Sequence, residues 1–86
     1  MLLIGSNKES ESMESRVSST SELGGVVRAA RKAQALSQED LAGMTGTGRR
    51  FISELEQGKN TAQVGKVFQV LRSLGVAIHL SHKWTL

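Results

Sequence analysis

From Leu23 onward, apolar residues recur at intervals of three and four, the spacing of one face of an α-helix. Leu23, Val27, Ala30 and Gln34 mark the first such face, with Val26 beside it and Arg28, Arg31 and Lys32 carrying the charge. Thr20 or Ser21 offers an N-cap, and Glu22 suits the positive end of the helix dipole. The pattern predicts a helix over about residues 21–34. Gly24 and Gly25 cost that helix about 1 kcal/mol each, so tertiary packing has to offset them. They are too isolated to form a phosphate loop.

Ser37-Gln38-Glu39-Asp40 reads as a second helix start, with a hydroxyl to cap and two acids in the first turn. Leu41, Ala42 and Met44 are then expected to point inward, and the helix stops near Met44-Thr45-Gly46. A third helix follows over Arg49–Glu56 and ends at Gln57-Gly58, where glycine can take the left-handed conformation that closes a helix. Two short helices joined by a tight glycine turn cross each other rather than stack, so Ser37 to Gly58 reads as a helix-turn-helix.

A fourth helix is predicted over about residues 63–74. Val64, Val67, Phe68 and Leu71 form its stripe and Leu74 extends it, while Lys66, Gln69 and Arg72 lie elsewhere. Past Gly75 the period changes from helical to alternating. Val76, Ile78 and Leu80 alternate with Ala77, His79 and Ser81, as in a half-buried strand. A lone strand leaves backbone groups unpaired, and the chain shows no second strand. Its expected partner is the same strand of another subunit, giving a two-fold dimer with an intermolecular two-stranded ribbon. The expected fold is mainly α: four helices in a compact domain, plus this C-terminal strand.

Composition refines that picture. Seven of positions 1–21 are serine, mixed with charged residues, so residues 1–20 read as a flexible tail before a domain at 21–75 and a dimerisation strand and tail at 76–86. Met13 offers an alternative translation start, which would make residues 1–12 an upstream extension. The opening Met1-Leu2-Leu3-Ile4 breaks at Gly5 and lacks the flank of a signal peptide, and no run approaches the roughly 20 apolar residues of a membrane span. The absence of cysteine excludes disulfides and thiolate metal sites and fits a cytoplasmic protein. The first 21 residues carry Lys8 and Arg16 against Glu9, Glu11 and Glu14. The remainder carries nine Lys/Arg against five Asp/Glu, an excess that suits a polyanionic partner.

Leu23-Gly24, Val27-Arg28, Arg31-Lys32, Leu36-Ser37-Gln38-Glu39-Asp40-Leu41-Ala42, Gly46, Ile52, Leu55-Glu56 and Gly58-Lys59 fall in order on one known pattern. In these positions the chain resembles the lambda-repressor-like, or XRE-type, helix-turn-helix family. Beyond them, residues 67–80 look like the helix-then-strand ending of HipB-like antitoxins. The resemblance implies a homodimer that binds palindromic operator DNA, represses its own operon and binds a HipA-type serine/threonine kinase toxin. It also implies roles: Gln38 braces phosphate and the recognition helix, and Thr47, Gly48, Arg49 and Arg50 open the reading surface. An arginine there can bond a guanine edge bidentately. Ser53 and Glu54 follow one turn later, and Lys59 and Asn60 suit phosphate contact. Gly48 departs from the family, which usually has Ser or Thr there, so the cap lacks a side-chain oxygen. Arg31 and Glu56 correspond to a structural salt bridge.

Other residues stay open between functional and plain readings. Arg28 and Lys32 divide between solvation and phosphate contact. Trp84 divides between packing over the dimer ribbon and anchoring a toxin. His79 and His82 point to opposite faces of a strand, and with no cysteine or nearby carboxylate no metal site is expected. Met44 and Phe51 read as core contacts rather than pocket lining. No nucleophile with its base, phosphate loop or cofactor site is discernible, so an enzyme is not expected. A stand-alone XRE-type or phage-type repressor and a protein-interaction adaptor without DNA binding are the alternatives to an antitoxin.

Overall fold

The computed structural model describes residues 14–84. Residues 1–13 of the expected tail, with its alternative start at Met13, and residues 85–86 lie outside that range. Four helices follow one another: α1 (Thr20–Ala33), α2 (Gln38–Thr45), α3 (Arg49–Glu56) and α4 (Val64–Ser73). α1 and α2 both pack on α3, and α4 closes the bundle against α2. Val27, Leu41, Ile52, Val70 and Leu71 fill the centre, each fully buried. Leu23, Ala30, Leu36, Phe51, Ala62 and Val76 pack around them. No helix among the described residues is long and apolar enough to cross a membrane.

The caps explain most boundaries. α1 starts one residue earlier than its apolar face suggests, because Ser19 rather than Thr20 or Ser21 is the N-cap and accepts from the Glu22 amide at 3.1 Å. Thr20 is used differently: its hydroxyl donates to the Gly58 carbonyl at 2.7 Å and ties the start of α1 to the end of α3. Ser37 caps α2 in a reciprocal box, accepting from the Asp40 amide at 2.9 Å while its own amide donates to the Asp40 carboxylate at 2.9 Å. Those local bonds hold the Asp40 carboxyl below its ordinary range. α1 closes with Ala35 at φ 58°, a left-handed conformation unusual for a residue with a Cβ. The Leu36 amide donates to the Arg31 carbonyl across that turn at 3.1 Å.

Gly24 is where packing repays the weak helix propensity. A Cβ there would lie 2.6 Å from the Glu56 carbonyl oxygen, and the Leu55 carbonyl is as close. The bare backbone lets α1 and α3 approach to a distance that any side chain would prevent. Gly25, with nothing within 4 Å of the same hypothetical atom, has no such role.

Two expectations about the core are corrected. Met44 is exposed, not inward. On α4 the buried stripe is Val67, Val70, Leu71 and Leu74, whereas Val64 and Phe68 are exposed. The apolar arc of α4 is wider than the face it can bury, so periodicity alone leaves its rotation open. A tertiary bond fixes it: the Gln69 amide donates to the Thr45 carbonyl at 2.6 Å and turns the neighbouring Val70 inward. After Gly75 the backbone runs on without helical bonds, and among the described residues no strand ladder forms.

Candidate nucleic-acid interface

The helix-turn-helix is assembled from buried hydrogen bonds that a short turn alone would not supply. The Thr45 hydroxyl, itself buried, donates to the Leu41 carbonyl at 2.9 Å and meets the Thr47 hydroxyl at 2.8 Å. Gly46 between them has φ 70°, which sets the sharp exit from α2. Gly48 is the N-cap of α3 and, as its lack of a side chain dictates, gives no side-chain cap bond. Arg49 and Arg50 then open α3, both exposed, with the Arg50 side chain 90% accessible.

α3 is held from behind by an ion pair. Arg31 donates from Nε to Glu56 Oε2 at 2.6 Å and from Nη2 to Glu56 Oε1 at 2.9 Å, and its Nη1 donates to the Leu36 carbonyl at 2.8 Å. The two side chains are 9% and 4% exposed. Gln38, at the first position of α2, donates from Nε2 to Glu56 Oε1 at 3.1 Å. Three elements therefore converge on one carboxylate. Burial pushes the Glu56 carboxyl up, but the bonds from Arg31 and Gln38 outweigh it and hold it below its ordinary value. The Arg31 guanidinium is correspondingly raised by its bond to Glu56. Gln38 retains a second amide N–H without a partner among the described residues, free to donate to a phosphate.

The outer face of α3 carries a second charge cluster. Glu54 accepts from Arg50 Nε at 3.1 Å and from Lys59 Nζ at 3.0 Å, one on each oxygen. The bond from Lys59, then that from Arg50, draws its carboxyl below the usual range. Ser53 Oγ accepts from the Gln57 amide at 3.1 Å. Asn60 is exposed just beyond. Arg49, Arg50, Ser53, Glu54 and Lys59 thus lie along one face of the helix and its exit, while Gln38 and Thr47 sit half-buried at its base.

Sequence reasoning missed three residues. Gln57 falls four positions after Ser53 and eight after Arg49, so helical spacing alone places it on the same face of α3 as those two residues. Lys66 sits 5.7 Å from the Phe51 ring centroid and lines a shallow groove with Lys59 and Thr61. Gln69 orients the turn through Thr45 and carries no signal in the sequence. Trp84 is exposed and stacks on His82, with ring centroids 6.5 Å apart. No cluster of metal-ligating side chains occurs among the described residues.

Residues 27–80 match the family described as Helix-turn-helix, HTH_3. The chain belongs to the XRE-type helix-turn-helix family. The matched segment runs from the middle of α1 through α4 to the alternating residues that follow it. An uncharacterized HTH-type transcriptional regulator of Sinorhizobium fredii, y4mF, is 50% identical over 68 residues, which is 79% of this chain and 90% of that protein. Among solved structures, a chain of a HipA-HipB-O2-O3 complex superposes with a TM-score of 0.74 at 21% identity, covering 83% of this chain and all of that one. A HipB-O4 20mer complex gives 0.74 at 22% identity over 80% of this chain and 97% of the other. The restriction-modification controller protein C.AhdI from Aeromonas hydrophila gives 0.61 at 26% identity, over 67% of this chain and 84% of its own. The family fold is the four-helix arrangement described above.

Proposed function

We propose that the protein is a sequence-specific DNA-binding repressor that acts as a homodimer and serves as the antitoxin of a HipA-type kinase. The observation that carries the DNA-binding part is the pair of exposed arginines opening α3, a helix whose base is fixed by the buried Arg31–Glu56 pair. A rigid scaffold with exposed cations at its tip is what groove reading requires, since the base-contacting groups must arrive in register. Arg49 and Arg50 reach base edges, with Ser53 and Gln57 one and two turns on. Thr47 and Gly48 bring backbone close to the duplex, and Gln38, Lys59 and Asn60 hold phosphates.

Dimerisation rests on the chain after Gly75. Val76 packs on the core, while Ile78 and Leu80 are exposed, Leu80 at 88%. A second copy pairing along Val76, Ile78 and Leu80 would satisfy the backbone and cover those side chains. Two α3 helices would then sit about one DNA turn, about 34 Å, apart, and the operator would be palindromic. Likeness to HipB, which occurs with HipA in one complex, supports the antitoxin assignment, and exposed Trp84 is the candidate toxin contact. Likeness to C.AhdI supports the second reading, a repressor without a toxin.

Two experiments test these levels separately. Footprinting on the DNA upstream of the gene should protect two half-sites related by two-fold symmetry; absence of any footprint would favour the adaptor reading. Co-purification with products of adjacent genes should recover a kinase-like protein, and a Trp84→Ala variant should recover less. A footprint with no co-purifying partner would leave the stand-alone repressor.

A further inference from the structure

We propose that Glu54 is an internal counter-ion that lowers the affinity and the salt dependence of DNA binding, on operator and non-operator DNA alike; this rests on the DNA-binding reading above. The carboxylate stands between Arg50 and Lys59, accepting one hydrogen bond from each at 3.1 and 3.0 Å. The side chain is only 31% exposed, against 90% for Arg50 and 48% for Lys59, so the anion lies beneath the two cations that meet the ligand. The three together carry one net positive charge where the cations alone would carry two.

The consequence is shared by the two kinds of DNA. Non-operator DNA offers phosphates alone, and a phosphate drawing Arg50 or Lys59 away exchanges one anion for another. That exchange gains little. The operator additionally offers base edges, and Arg50 must leave the same carboxylate to bond a guanine. Glu54 therefore lowers affinity for both DNAs by a similar factor. A base-reading role would act in the opposite direction: a carboxylate accepting from cytosine strengthens the operator complex alone.

The test compares the full-length protein with Glu54→Gln, on the footprinted operator and on a scrambled duplex of equal length, across a salt series. Each phosphate contact contributes a slope of about −0.9 in log K against log salt, hence about eightfold in affinity near 0.1 M. Glu54→Gln is expected to tighten scrambled-duplex binding by about that factor, with a slope steeper by about one. Operator affinity should rise by a similar factor, so discrimination stays near that of the wild type. Glu54→Ala should behave alike, and thermal melts of both variants should stay near wild type. In a Lys59→Ala background the gain from Glu54→Gln should shrink, because one of the two released cations is gone. Unchanged affinity and slope on the scrambled duplex would overturn the proposal. So would a loss of operator binding alone, which would make Glu54 a direct base contact. Wild-type protein that binds neither duplex would instead defeat the DNA-binding reading itself.

Discussion

Replacing Glu56 with alanine should destabilise this domain strongly. The carboxylate accepts three hydrogen bonds, two from Arg31 and one from Gln38, and both members of the ion pair are less than a tenth exposed. Glu56→Ala leaves the Arg31 guanidinium buried with only the Leu36 carbonyl for company. Removing one partner of such a pair costs about 3–5 kcal/mol, mostly the penalty of an uncompensated buried charge. A domain of this size is stable by roughly 0.05–0.15 kcal/mol per residue, so the loss takes about a quarter or more of the total. The midpoint of thermal unfolding should fall by about 4–8 °C for each kcal/mol lost. Arg31→Met should cost a comparable amount, but the double variant Arg31→Met/Glu56→Ala should lose less than the sum of the two single losses. Circular-dichroism melts and urea titrations of all four proteins, at one fixed protein concentration, complete the cycle. A Glu56→Ala loss below about 1 kcal/mol, or single effects that simply add, would refute the view that this pair holds α3 in place.

Three further outcomes follow from the geometry. Gly24→Ala should destabilise by about 1–3 kcal/mol despite its better helix propensity, because the new Cβ meets the Glu56 carbonyl, whereas Gly25→Ala should gain up to about 1 kcal/mol; urea midpoints distinguish them. Ala35→Gly should stabilise by about 1 kcal/mol by relieving the left-handed strain at φ 58°, read from the same titration. Stability should also fall in acid. Glu56 has a folded value below its ordinary 4.5, so its contribution is complete above the unfolded value and lost as pH falls through the folded one. Melting temperature should be flat from about pH 8 to 6 and drop below about pH 4.5, with a shallower drop in Glu56→Gln.

What the sequence made legible was local. Ser37 and Asp40 announce the start of α2 because their hydrogen bonds span three residues and need no other element. The ends of α3 and α4 are marked by Gly58 and Gly75 for the same reason, each closing a helix in a left-handed turn. The rotation of α4 was hidden. Val64 and Phe68 are as apolar as Val67 and Val70, and the bonds that fix α4, from Gln69 to Thr45 and from Gln34 to Leu74, span 24 and 40 positions. Gly24 looked like a defect in α1 until the carbonyls of α3 came against it. At the interface, the positions of Arg49 and Arg50 were readable from helical phase and family pattern. Lys59 as a partner of Glu54 was not, since it lies past the end of α3 and reaches back only because the chain reverses at Gly58.

The central claim is that Arg49 and Arg50 read base edges from the start of α3. It is tested most directly by the ratio of operator to scrambled-duplex affinity in Arg49→Ala and Arg50→Ala, beside Lys59→Ala as a phosphate control. The account predicts that each arginine variant loses about 1–3 kcal/mol of discrimination, while Lys59→Ala weakens both duplexes alike and flattens the salt slope by about one. Arginine variants that keep the wild-type ratio would contradict it.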